Sequence, residues 1–178
     1  YTLWHTLSLH DALPISASGS GYALEFNAAG APGVQNCAFY ELVHGYGTVQ
    51  TAFDLYLDAP DLAFKVQWRD ARQTGDGSYN EIGPNVHVSE GGVLEYNNTP
   101  LTVLQSGVWT RLTLESVLGS SGDATFTLRI KPEGMPEQVF GGLPFPDNAF
   151  RALDYLSILV GGSDSIYVDN VGIRRVDD

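Results

Sequence analysis

The sequence predicts an all-β protein, a two-sheet antiparallel β-sandwich of jelly-roll type, on three observations. Apolar and polar residues alternate with period two in run after run. Turn residues rich in Gly, Asp, Ser and Asn separate the runs, and no segment carries the i, i+3, i+4, i+7 spacing of a helix face. Nine or ten short strands with almost no helix bury their apolar faces by packing two antiparallel sheets together. The only room for helix is one or two turns in residues 147–155.

The elements follow in order. Tyr22, Leu24 and Phe26 alternate with Ala23, Glu25 and Asn27 before a Gly/Pro-rich turn at 28–33. Val49, Thr51, Phe53, Leu55 and Leu57 then share one face of a strand, opposite Gln50, Asp54, Tyr56 and Asp58. Phe64, Val66 and Trp68 alternate with Lys65, Gln67 and Arg69 ahead of a polar loop at 70–80. Shorter strands at 85–88 and 93–96 are joined by the turn Glu90-Gly91-Gly92. Leu112 and Leu114 oppose Arg111, Thr113 and Glu115. After a Gly/Ser turn, Phe126, Leu128 and Ile130 oppose Thr127, Arg129 and Lys131, so these two runs read as an antiparallel hairpin. Strands at 155–160 and 165–176 close the fold. The last sets Asp169 and Asn170 amid β-formers, an arrangement that lowers β-propensity and demands a partner for the carboxylate.

At 178 residues, 43% hydrophobic and 11% aromatic, the chain has the size and composition of one folded domain, assigned to residues 21–176. A formal charge of -12 with nine Lys and Arg excludes nucleic acid and anionic membrane surfaces as natural partners. Neutral polymers, cations and basic ligands are compatible with it. The single Cys37 forms no internal disulfide and reads as a small buried apolar residue. No run approaches the ~20 apolar residues of a membrane-spanning helix. Residues 1–20 are expected to be a non-native or disordered lead-in. Its first sixteen residues begin without Met and, from Thr6 to Ser16, resemble translated sequencing-adapter read-through from a metagenomic assembly. On that reading Trp4, His5 and His10 carry no functional weight, and the native N-terminus, with any signal peptide, is missing.

The phrases Gly21-Tyr22-Ala23-Leu24-Glu25-Phe26, Ala52-Phe53-Asp54-Leu55-Tyr56-Leu57, Gly107-Val108-Trp109-Thr110-Arg111-Leu112, Phe126-Thr127-Leu128-Arg129 and Ile166-Tyr167-Val168-Asp169-Asn170-Val171 resemble concanavalin A-like and laminin G-like jelly-roll domains and the related carbohydrate-binding modules. The resemblance implies an extracellular or cell-surface setting in a larger exported bacterial protein, beside other domains of the same polypeptide. It also implies a structural calcium held by Glu25 and Asp169, positions that match the acids of the first and closing strands. Asn27, Asn170, carbonyls or water would have to complete the 6 to 8 oxygens calcium requires. The alternative is that Asp169 accepts backbone hydrogen bonds and Glu25 is solvated.

Sugar recognition needs an aromatic platform and planar polar groups. The candidate ligand-binding residues are Tyr56, Gln67, Arg69, His87 and Glu95, with Lys65 beside them. Trp68, Tyr79, Tyr96 and Trp109 are possible platforms, although Trp68 shares the parity of Phe64 and Val66 and so reads as core. Arg69 and Asp70 alternatively form a surface ion pair. A polysaccharide lyase would draw on His44, Arg69, His87 and Tyr96 for charge neutralisation and proton transfer. The Glu-x-Asp-x-x-Glu spacing of jelly-roll glucanases is absent, as are Ser-His-Asp, P-loop and dinucleotide signatures. The reading is a noncatalytic carbohydrate-binding or adhesion module, with a small polysaccharide-active enzyme or a purely structural surface domain as alternatives.

Overall fold

A computed structural model of the chain describes residues 23–27, 35–60, 63–71, 81–161 and 165–176. The expected lead-in at 1–20, Tyr79, and the side chains of Asn27 and Cys37 lie outside the described residues. Twelve strands are described: β1 (Leu24–Asn27), β2 (Gln35–His44), β3 (Gly47–Leu57), β4 (Ala63–Asp70), β5 (Glu81–Ser89), β6 (Val93–Tyr96), β7 (Thr99–Val103), β8 (Thr110–Leu118), β9 (Thr125–Pro132), β10 (Gln138–Pro144), β11 (Leu153–Gly161) and β12 (Ser165–Arg175). They form two six-stranded antiparallel sheets, β1-β12-β3-β8-β9-β10 and β2-β11-β4-β5-β6-β7. The all-β sandwich expected from the alternation is the observed architecture. A 3-10 turn, Glu90–Gly92, links β5 to β6. Among the described residues no helix is long and apolar enough to cross a membrane.

The alternating apolar residues meet between the sheets. Phe53, Leu55 and Leu57 of β3, Leu112 and Leu114 of β8, and Phe126, Leu128 and Ile130 of β9 face Phe64, Val66 and Trp68 of β4 and Val86 and Val88 of β5, all buried. Full burial of such a side chain contributes about 1.5–3 kcal/mol. Specific contacts then fix how the sheets lie on each other. The Trp68 Nε1–H donates to Thr51 Oγ1 at 2.8 Å, Phe53 meets Phe64 with ring centroids 6.1 Å apart, and Tyr96 meets Phe126 edge-on at 5.5 Å. The indole can be buried completely because its one donor is satisfied across the interface.

Three strands, β2, β7 and β10, go beyond those expected. The helical turns expected in 147–155 are absent: Phe150 N donates to Asp147 O at 3.3 Å and Asp147 Oδ1 accepts from Ala149 N at 2.8 Å, so the segment is a turn that leads into β11. The acid and amide at the centre of β12 also receive a physical account. The register of β12 on β3 shifts between Asp169 and Gly172, and Asn170 sits there at φ 50°. Asn tolerates this left-handed conformation better than most residues, and the resulting bulge turns its Nδ2 onto Asp54 Oδ2 at 2.7 Å. At the margin where β6 and β7 end the second sheet and β10 ends the first, the outermost strands carry Pro100 on β7, and a register break between Phe140 and Leu143 with Pro144 on β10.

Candidate functional site

The outer face of the second sheet collects most of the predicted ligand-binding residues. Because Phe64, Val66 and Trp68 point inward, Lys65, Gln67 and Arg69 of β4 point outward, and the ladders fix what stands beside each. Lys65 lies between Leu159 of β11 and His87 of β5, and His87 lies opposite Glu95 of β6. Gln67 lies between Ser157 and Asn85, and Arg69 between Tyr155 and Ile82. The result is three parallel rows of side chains with cross-strand neighbours about 5 Å apart. Gln67, Arg69, His87 and Glu95 are thus brought together, with Lys65.

The rows are linked by polar contacts. Arg69 Nη1 donates to Gln67 Oε1 at 3.4 Å, His87 Nδ1 lies 4.0 Å from Glu95 Oε2, and Ser89 Oγ donates to Glu95 Oε1 at 2.9 Å. Gln67 is only 5% exposed despite facing outward. Beside it, the buried Asn85 Oδ1 has no hydrogen-bond partner. A buried acceptor without a donor carries its desolvation cost uncompensated. Chemically the face offers amide donors and acceptors, two basic side chains, an imidazole, a carboxylate and a phenol: the means to bind hydroxyl-rich ligands and to pair a carboxylate.

Other predicted residues lie elsewhere. Tyr56 is on the outer face of the first sheet, its ring 5.4 Å from Trp109 and 5.9 Å from Tyr167, and does not share a face with Arg69 and His87. Tyr96 corrects an expectation: it has the inward parity of the buried Leu94, is 7% exposed, and donates its hydroxyl to the Pro144 carbonyl, so it supplies neither a platform nor a proton-transfer group. Burial pushes its pKa above the ordinary tyrosine value. Trp68 is core, as its parity indicates. Asp70 is buried, and its Oδ2 accepts from the Arg151 and Ala152 amides at 3.0 and 3.1 Å. His44 ends β2 opposite the core residue Leu153, across a register break from Tyr155, with its Nε2 buried and unpartnered.

The sequence reading missed Asn85, Ser157 and Tyr155. A signal existed for each. Asn85 has the parity of His87, and Tyr155 and Ser157 alternate with the buried Leu156 and Ile158.

Glu25 and Asp169 share the outer face of the first sheet, diagonal to one another across the β1–β12 ladder. Glu25 Oε1 accepts from Ser165 Oγ at 2.8 Å and from Tyr167 Oη at 3.5 Å, while Asp169 Oδ1 accepts from the Asn170 amide at 2.7 Å. Among the described residues no three His, Cys, Asp or Glu side chains group closely enough to hold a metal ion.

No protein-family model matches this chain, and no curated protein matches it by sequence. Solved structures match it by shape. An endo-β-1,4-glucuronan lyase from the fungus Trichoderma reesei aligns with TM-score 0.56 at 13% identity, over 88% of this chain and 83% of the lyase. Lectin I-B4 from Griffonia simplicifolia, in its metal-free form, aligns with TM-score 0.52 at 10% identity, over 90% of this chain and 89% of the lectin. A sialidase aligns with TM-score 0.62 at 9% identity, over 89% of this chain but only 16% of the sialidase, so the chain spans a small part of that protein's length. At these identities the likeness shows the fold, which is the concanavalin A-like jelly-roll sandwich.

Proposed function

We propose that this chain is a noncatalytic carbohydrate-binding or adhesion module of a larger exported protein, and that its glycan lies on the outer face of the second sheet. The observation that carries the reading is the unpartnered Asn85 Oδ1 opposite Gln67, on the face to which the neighbouring strand also turns Arg69 and Lys65. Sugars present dense hydroxyl donors, and amide side chains match them in pairs. Lys65 and Arg69 put two of the chain's nine Lys and Arg on this face, which favours a glycan bearing carboxylates. That a lectin and a glucuronan lyase share the fold supports the direction of the reading. The test is retention on a panel of neutral and acidic polysaccharides. Binding is expected to fall in Asn85→Ala and His87→Ala, and no retention on any member of the panel refutes it.

A second reading, a polysaccharide lyase, is favoured by Arg69 facing Tyr155 with Gln67, Asn85 and His87 alongside. Arg69 and the amides would neutralise a uronate carboxylate, acidifying the adjacent C5–H. A base, Tyr155 or His87, would take that proton; the electron pair forms the C4–C5 double bond, the C4–O glycosidic bond breaks, and the leaving oxygen is protonated. Ultraviolet detection of unsaturated uronate tests it, and a flat trace on all uronate polymers excludes it.

Structural calcium is a separate proposal, since Glu25 and Asp169 would need carbonyl, water or further oxygen donors to complete a shell. If it is bound, chelator lowers the melting temperature and Asp169→Ala abolishes that shift; an unchanged melt in excess chelator removes the metal.

A further inference from the structure

His87 stands between a cation and an anion. In the ladders it lies beside Lys65 of β4 on one side and opposite Glu95 of β6 on the other. Cross-strand neighbours on one face are about 5 Å apart, close enough for their charges to act on each other. Ser89 holds the Glu95 carboxylate in place: its Oγ donates to Oε1 at 2.9 Å, while Oε2 lies 4.0 Å from His87 Nδ1. That second separation is too long for a hydrogen bond but within the range of an ion pair, so the contact strengthens when the imidazole is charged. The His87 and Glu95 side chains are 41% and 21% exposed, which leaves the pair open to protons and to a ligand. Among the described residues, the other side chains in register around His87 do not titrate. They are Asn85 and Ser89 on its own strand, Ala63 and Gln67 diagonally on β4, Val93 on β6, and Pro100 of β7 beyond Glu95.

We infer that His87 makes retention of a carboxylate-bearing glycan on this face depend on pH, tighter in mild acid than in mild base; the inference rests on the reading of the face as a glycan site. Imidazole is the side chain that takes up its charge between about pH 8 and pH 5. In the basic part of that window Lys65 and Glu95 offset each other across a neutral ring, and a uronate approaching the row meets no net charge. In the acidic part the imidazolium neutralises Glu95, and the row turns one positive charge toward the ligand. Uronate carboxylates stay ionised throughout, so the change lies on the protein side. One unit charge about 5 Å away in water shifts a binding equilibrium roughly three- to fivefold. A neutral sugar carries no charge for it to act on.

The experiment measures the affinity of the whole chain for polygalacturonate and for alginate, with dextran as the neutral probe, at about pH 5.5 and about pH 8 in low salt. A retained uronate polymer is expected to bind roughly three- to fivefold more tightly at the lower pH, and added salt should shrink that ratio. His87→Gln should bind it with one affinity at both pH values. Glu95→Gln removes the anion and should bind it roughly three- to fivefold more tightly than wild type at about pH 8, with the pH dependence intact. A wild-type ratio near one overturns the inference, as does an unchanged ratio in folded His87→Gln, an equal ratio on dextran, or retention of dextran alone. If His87→Gln does not fold, Glu95→Gln decides: affinity equal to wild type at the higher pH refutes the charge balance. Uronate binding that ignores pH removes this inference and leaves the glycan face standing, whereas no retention of any probe at either pH overturns both.

Discussion

Replacing Asn85 with Leu should make the protein more stable and, on the proposed reading, less able to bind a glycan. In the free protein the Asn85 Oδ1 is buried without a donor. Such an acceptor costs about 1–3 kcal/mol relative to a satisfied or apolar one, and Leu removes it at similar side-chain length. For a domain of this size each kcal/mol moves the melting temperature about 2–4 °C, so a rise of roughly 2–12 °C is expected. The same substitution removes the acceptor on which the glycan reading rests, beside Gln67 and in line with His87. Differential scanning calorimetry on wild type and variant gives the first quantity, and retention on the polysaccharide panel gives the second. A fall in melting temperature would mean that the carbonyl is already satisfied in solution, by water, and that its orphan state is not a store of binding energy. A stabilised variant that binds as well as wild type would refute the choice of face.

Gly83→Ala should destabilise by about 1–3 kcal/mol, because a Cβ there would stand 2.6 Å from the Phe150 ring; urea denaturation reads it. At the β12 bulge, Asn170→Gly should cost about 1.5–3 kcal/mol through the lost bond to Asp54, and Asn170→Ala about 1–2 kcal/mol more for the left-handed backbone. Equal melting temperatures for the Gly and Ala variants would show that the backbone term is absent. The Asp123 carboxylate is held below its ordinary pKa by the Thr125 hydroxyl at 2.7 Å and amide at 3.1 Å. A depressed carboxylate stabilises above its unfolded pKa and loses that contribution as pH falls through the folded one, so Asp123→Asn should flatten the acid limb of the stability curve below about pH 4. A variant whose acid limb is unchanged would contradict this.

The fold was legible where one face of a strand is buried and the other wet. β3, β4, β8 and β9 announce themselves by strict alternation, and from β4 parity alone Gln67 and Arg69 could be set outward and Trp68 inward. Periodicity is silent where that contrast is lost. β10 runs along the sheet margin with most of its residues exposed and with two adjacent glycines, so its sequence reads as a loop. Which face belongs to which sheet was not legible either. Tyr56 and Arg69 both face outward, but the chain crosses from one sheet to the other between β3 and β4, and only the pairing shows that they look away from each other. Tyr96 was misjudged although its parity was readable: in the four residues of β6 it shares a side with Leu94 and opposes Glu95. The β12 bulge hid in plain view: an Asp-Asn pair looks like a defect in a strand until the left-handed Asn170 supplies its reason.

The way the β7 and β10 margin is finished bears on life in company. A proline on β7, and a glycine-containing register break followed by proline on β10, leave few consecutive main-chain groups able to accept a visiting strand. A second copy that meets this margin therefore finds no long run of main-chain donors and acceptors on which to extend the ladder, so contact there leaves each sandwich its own boundary.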